Sequence, residues 1–267
     1  METIKSSNSF IIHLTNEEFW FLAKIMGPGI LYGIEDPTDK LSDTEKATND
    51  TIALDSLKKA GVLKIEDGNQ IILDKVLGAL FFCCINADHV LIINNHDSNE
   101  LLLIYFKPQW QVALERTSGH YLLTIIKNRT KLFEYIIDKY SVKLLGSNDH
   151  ASFMIKEDAL EVANNFYQNG NIEKAVDILN NNRFPKELKT EQFLEAFNSP
   201  DVWIKFQMIY DLNDKDICRN RRFELFQFSE MLYWVSHLIV SNETYSLMTY
   251  QAVTLEDAND SFNQIIP

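Results

Sequence analysis

Four strand-like runs, at residues 90–94, 101–106, 111–116 and 121–127, follow one another with very little chain between them. The breaks carry turn chemistry: His96-Asp-Ser-Asn99, Lys107-Pro108 and Ser118-Gly119. Parallel neighbours need a crossover of about a dozen residues or more, so runs this close must pair antiparallel, as a meander. Val90-Leu-Ile-Ile93 and Leu101-Leu-Leu-Ile104 are apolar on both faces, which places them at the centre of a sheet covered on each side. A second set of four runs, at 202–210, 222–228, 232–240 and 245–252, repeats the pattern.

Helices precede each set. Thr15-Asn-Glu-Glu18 has the form of a capping box, in which hydroxyl and carboxylate each satisfy a backbone N–H at a helix start. The helix it opens runs through Met26, with Phe19, Leu22, Ala23 and Met26 on one face, and Gly27-Pro-Gly29 ends it. Residues 9–13 before it read as an extended entry. Ser42-Asp-Thr-Glu45 is a second capping box, for a helix to Ala60 with Gly61 as a left-handed cap. A hairpin at 62–65 and 70–73 turns at Asp67-Gly68, and Asp74 caps a helix over 75–86. After the first meander comes a helix over 131–140. The second half has helices at 156–169, 172–181 and 191–197, the last capped by Thr190. Thr254-Leu-Glu-Asp257 caps a final helix after the second meander.

The order helices, four-strand meander, helix therefore occurs twice. The expected fold class is α+β: two topologically similar halves with pseudo-twofold symmetry and a central antiparallel β-sheet flanked by helical bundles. With the two sheets joined, the helices are expected on one side. The halves are residues 1–145 and 146–267, with the polar stretch Gly146-Ser-Asn-Asp149 at the boundary, and together they make one unit.

Composition limits the partners. Thirty-eight acids against 25 bases give a net charge of −13, a poor field for nucleic acid or anionic membranes. No apolar run reaches the ~20 residues of a spanning helix, so no membrane insertion is expected. The polar start, Met1 to Asn8, does not read as a secretory signal. Three cysteines, with Cys83 and Cys84 adjacent in an apolar run, fit buried thiols in a reducing cytoplasm.

Candidate chemistry is sparse. His89 with Asp88 and His96 with Asp97 sit at opposite ends of one strand, roughly 20 Å apart at ~3.3 Å per residue, and cannot share a metal. Cys83-Cys84 lacks C-x-x-C spacing and reads as core. Cys218 lies near Arg219, Arg221 and Arg222 with no sequence-adjacent His. No G-x-S-x-G, G-x-G-x-x-G or P-loop occurs. The helix from Ser42 with its hairpin has a winged-helix outline, but Asp43, Glu45, Asp50 and Asp55 make it a poor DNA reader. The tryptophans at 20, 110, 203 and 234 are expected in the core. Trp203, Lys205 and Gln207 alternate with Ile204 and Phe206, so those three share the more polar face of their strand. The acidic-then-basic loop at 211–222 is a solvated turn or a partner-reading one.

The stretch from Leu14-Thr-Asn-Glu-Glu-Phe19 to Ser56-Leu57 and Gly61-Val-Leu63, with hairpin and helix ahead of the sheet, resembles the EspG-like and EsaE-like family of type VII (ESX) secretion chaperones. The Asn-, Lys-, Ile- and Phe-rich composition is similar to the low-GC Gram-positive members. The resemblance implies a cytoplasmic chaperone or adaptor, without catalysis or cofactor. Its partner would be a secreted helical substrate of LXG or toxin type, kept soluble and export-competent, and the secretion ATPase is a further implied partner. It also implies a binding surface on the sheet and an early hairpin loop, here His96, Asp97 and Asn99. Physical reasoning adds Trp203, Lys205 and Gln207, and Asp214, Asp216, Arg219 and Arg221 from the loop at 211–222. The competing expectation is an immunity protein whose acidic surface fills a basic toxin cleft.

Overall fold

A computed structural model describes residues 2–5, 10–27, 31–66, 70–95, 101–142, 152–182, 184–185, 188–200, 202–213, 219–228, 231–239 and 246–267. The first half opens with strands β1 (Glu2–Lys5) and β2 (Phe10–Thr15), then helix α1 (Asn16–Met26). The Thr15 hydroxyl accepts from the Glu18 N–H, and the Glu18 carboxylate accepts from the Thr15 N–H at 2.9 Å. Glu18 is nevertheless only 1% exposed. Its other oxygen accepts the Ser56 hydroxyl of α2 (Asp43–Lys59) at 2.7 Å, so the cap also ties two helices together. Gly61, at φ +73°, ends α2 in a conformation that favours glycine. The hairpin β3 (Leu63–Glu66) and β4 (Gln70–Leu73) leads to α3 (Lys75–Ile85). The meander is β5 (His89–Asn95), β6 (Leu101–Lys107), β7 (Trp110–Thr117) and β8 (His120–Ile126), and α4 (Leu132–Lys139) follows.

The second half starts with a strand that periodicity did not separate from a helix, β9 (Phe153–Lys156). Then come α5 (Glu157–Gln168), α6 (Ile172–Asn181) and α7 (Thr190–Asn198). Thr190 is the first residue of α7 rather than its cap, and its hydroxyl donates to Asn180 Oδ1. The second meander is β10 (Val202–Tyr210), β11 (Arg219–Phe228), β12 (Met231–Ile239) and β13 (Ser246–Ala252). Helix α8 (Leu255–Ile265) closes the chain on the Thr254/Asp257 capping box. The polar stretch around Gly146 lies outside the described residues.

Among the described residues eleven strands form one sheet, in the order β1-β2-β8-β7-β6-β5-β10-β11-β12-β13-β9, with every neighbour antiparallel. The halves meet where the first strand of each meander pairs with the other, β5 against β10. The strand before each helical bundle, β2 or β9, lies beside the last meander strand, β8 or β13. That correspondence is the pseudo-twofold.

The helices are not all on one side. Helices α1–α3 pack on one face of the first half through Phe19, Leu57, Leu80 and Phe81. Helices α5–α7 cover the same face of the second half through Leu160, Leu179 and Phe193. Helices α4 and α8 lie on the opposite face and span the junction, burying Leu91, Ile93, Ile204, Phe206 and Phe223 beneath Phe133, Ile136 and Phe262. The physical reason is already in the strands: runs apolar on both faces need a layer on each.

Candidate binding face

Register decides what lies between the two bundles. Across nine strands the residues standing side by side are Tyr121, Arg116, Leu101, Asn94, Lys205, Glu224, Val235, Tyr250 and Phe153. Direct antiparallel partners point to the same face. The ends of this row are buried under the helices, Tyr121 at 0% and Tyr250 at 1% exposure. Its middle is polar and reaches solvent. Asn94 is exposed and Lys205 half-buried. In the next row, Gln207 pairs with Ile92 on one side and Arg222 on the other; Gln207 is half-buried and Arg222 exposed. The face thus has a polar floor where the two halves meet, flanked on each side by residues buried under the helices.

At the second half's edge of that floor, where α7 covers it, lies a buried network. Trp203 is 5% exposed and packs against Phe197 and Phe226, with ring centroids 4.8 and 5.6 Å away. Its Nε1–H donates to Glu224 Oε2, and His237 Nε2 lies 3.0 Å from Glu224 Oε1. Burial pushes the Glu224 carboxyl up, but hydrogen bonds from His237 and Trp203, with the charges of His237 and Lys205, outweigh it and hold it below its usual value. The hydrogen bond to Glu224 raises His237 above its usual value, against the opposing effect of burial. The Lys205 ammonium sits 4.2 Å above the Trp203 ring, a cation–π contact that draws its charge to the floor.

The sequence-derived candidates separate into groups. Lys205 and Gln207 share this floor, with Trp203 on the same face but anchored beside it under α7. Arg219 and Arg221 are exposed but pair with Tyr210 and Met208, residues of the opposite face. Arg219 also reaches Asp211, at 3.5 Å. His96, Asp97, Asn99, Asp214 and Asp216 lie outside the described residues, as does Cys218. His89 has a structural partner: its Nδ1 accepts the Asp211 N–H at 3.1 Å. Asn94, Arg116, Glu224 and His237 were not singled out from sequence, and Arg222 entered only as the end of the loop at 211–222. Only strand pairing assembles them, although the polar positions of 220–224 were a visible signal.

Elsewhere, a mostly apolar hollow of about 350 Å³ opens between α3 and the β6–β7 turn, lined by Ala79, Phe82, Cys83, Pro108 and Trp110 together with Lys107 and Gln109. Trp110 is 43% exposed there, unlike the other three tryptophans. Burial pushes the Cys83 thiol up to about 12, so it is protonated at neutral pH. Among the described residues no group of three or more His, Cys, Asp or Glu is placed to hold a metal, and no helix is long and apolar enough to cross a membrane.

Comparison with sequence families and with curated proteins returned no match. Comparison with solved structures found the Mycobacterium tuberculosis type VII secretion system chaperone EspG5 in complex with a PE25–PPE41 dimer. The likeness has a TM-score of 0.64 at 9% identity and covers 94% of this chain and 93% of that one. At that identity it is the fold that is shared.

Proposed function

We propose that this chain is a cytoplasmic chaperone or adaptor of a type VII secretion system. It holds a secreted helical substrate on the sheet face between its two helical bundles and performs no catalysis. The observation that carries this reading is end-to-end likeness of fold to a chaperone solved with its PE25–PPE41 partner. The accessible strip of side-chain donors between the bundles is consistent with it, because a protein interface carries several direct hydrogen bonds alongside its apolar contacts. On this reading residues 1–145 and 146–267 are two halves of one unit. The substrate is of LXG or toxin type, and the complex is handed to the secretion ATPase.

The test is a photo-cross-linker in place of Gln207, in the native host, with the chain's gene deleted in a parallel strain. The expected result is a cross-link to an exported protein that disappears from the medium of the deletion strain. Unaltered export together with no cross-link overturns the proposal. Capture of a toxin through its catalytic domain, with its activity blocked, would make the chain an immunity protein instead.

A further inference from the structure

The charged groups that reach solvent along the floor row and its neighbour are cations, Arg116, Lys205 and Arg222, in a chain whose net charge is −13. Two acids on the second half's side of the floor are engaged. Glu224 accepts from Trp203 and lies against His237, and Glu157, whose charge reaches His237, accepts the Ser246 hydroxyl. Asn94 and Gln207 add side-chain amides that can donate. From β7 to β11 the row spans four strand spacings, roughly 19 Å at ~4.8 Å each. That width admits the end of a helix ~10–12 Å across.

The last four carbonyls of a helix have no partner within it, and the end carries about half a negative charge. A surface of donors and cations held on a rigid sheet complements such an end, while a helix N-terminus would bring its positive pole to the same cations. We infer that the floor receives the acidic C-terminal end of a substrate helix, with Lys205 and Arg222 supplying the charge and Asn94 and Gln207 the amide donors. This rests on the binding face proposed above and names the chemistry of what it binds.

The probe is a fluorescent amphipathic helical peptide of about 20 residues ending in Glu-Glu with a free carboxylate. Its control is the same helix ending in Lys-Lys with an amide. At ~0.05 M salt the acid-ended peptide should bind roughly tenfold more tightly than the control, and the difference should shrink at ~0.5 M as screening sets in. Both Lys205→Glu with Arg222→Glu and the milder Lys205→Gln with Arg222→Gln should abolish the preference. Circular dichroism would confirm that each variant is folded. Equal binding of the two peptides, or a preference that survives the neutral Gln variant, overturns the inference. The cross-link at Gln207 separates the two levels. Captured substrate with no charge preference sinks only the acidic-end inference, whereas no capture removes the binding face as well.

Discussion

Replacing Glu224 by Gln tests whether the buried network stabilises the floor electrostatically. The amide has the carboxylate's shape, so no cavity forms, and Trp203 can still donate to the amide oxygen. What is lost is the charge facing His237. Glu224 is 8% exposed, so solvent screens the pair little. The folded-state value of Glu224 is depressed, so its contribution is present above its unfolded value near 4.5 and lost as pH falls through the folded one. The folded-state value of His237 is raised, so its contribution is full below 6.5 and lost as pH rises through the folded one. Both contributions are present together between those limits. A hydrogen bond to a charged group contributes about 1.5–3 kcal/mol, and a protonated His left beside a neutral amide adds to the loss. Glu224→Gln should therefore cost about 3 kcal/mol near pH ~5.5, or roughly 6–12 °C in Tm for a chain of this size. Above the folded value of His237 only a neutral imidazole faces the carboxylate, and the cost should fall to about 1 kcal/mol. A nuclear magnetic resonance titration of His237 fixes its folded value, and thermal melts of wild type and variant at about pH 5.5 and at a pH above that value give the answer. A loss equal at both values, or an unmoved His237 titration, refutes the coupling.

Gly33 has φ +85°, and a Cβ there would lie 2.8 Å from Leu103 Cδ2, so Gly33→Ala should cost about 1–3 kcal/mol in urea titration, and an unchanged midpoint counts against the reasoning. Phe262→Ala should cost roughly 3–5 kcal/mol and speed hydrogen exchange across α8, because Phe262 is fully buried against Phe133 and Phe206. In a Cys218→Ser background, Cys83 and Cys84 should resist a thiol reagent at neutral pH until denaturant is added. Burial raises both thiols, Cys83 to about 12 and Cys84 well above its usual value. Rapid labelling of the native protein would contradict their placement.

The parts of the fold readable from sequence are those that local chemistry determines. All three capping boxes, at Thr15, Ser42 and Thr254, form as their spacing requires, because each closes within one helical turn. The meanders were legible because short breaks leave one way to pair. Strand β9 was not. Phe153 and Ile155 face inward while Met154 and Lys156 face out, but four residues of alternation before a helix do not distinguish a strand from a helix start. Its identity comes from β13, which arrives about 90 residues later. The candidate face between the bundles was half legible. Period-two alternation placed Lys205 and Gln207 together, yet only the position of α7 reveals that Trp203 goes under Phe197. Arg222, Glu224 and His237 join them through registers that no single strand encodes.

The open axis is a consequence of how the halves join. Pairing β5 with β10 turns each half's bundle outward, so the shared face is left open around Asn94 and Lys205, while the loop with Tyr32 and Gly33 covers it at Ile92 and Leu212. A bare strip would weaken the junction if the front face had to hold it together, but the back face does that. Rings of Phe206 and Phe223 stack at 4.8 Å, Phe262 of α8 packs onto both, and Phe133 of α4 lies 5.2 Å from Phe262. Arg129, before α4, donates to the carbonyl of Ile266 after α8, tying the last helices of both halves together. Each fully buried Phe contributes about 1.5–3 kcal/mol, so these few rings exceed what one polar row forgoes by staying wet. The front can then be chosen for binding rather than for folding. Charge changes at the exposed Arg222 should accordingly alter partner affinity while leaving Tm within a degree or two, whereas Phe206→Ala should lower Tm sharply even though its ring packs on the opposite face of the sheet.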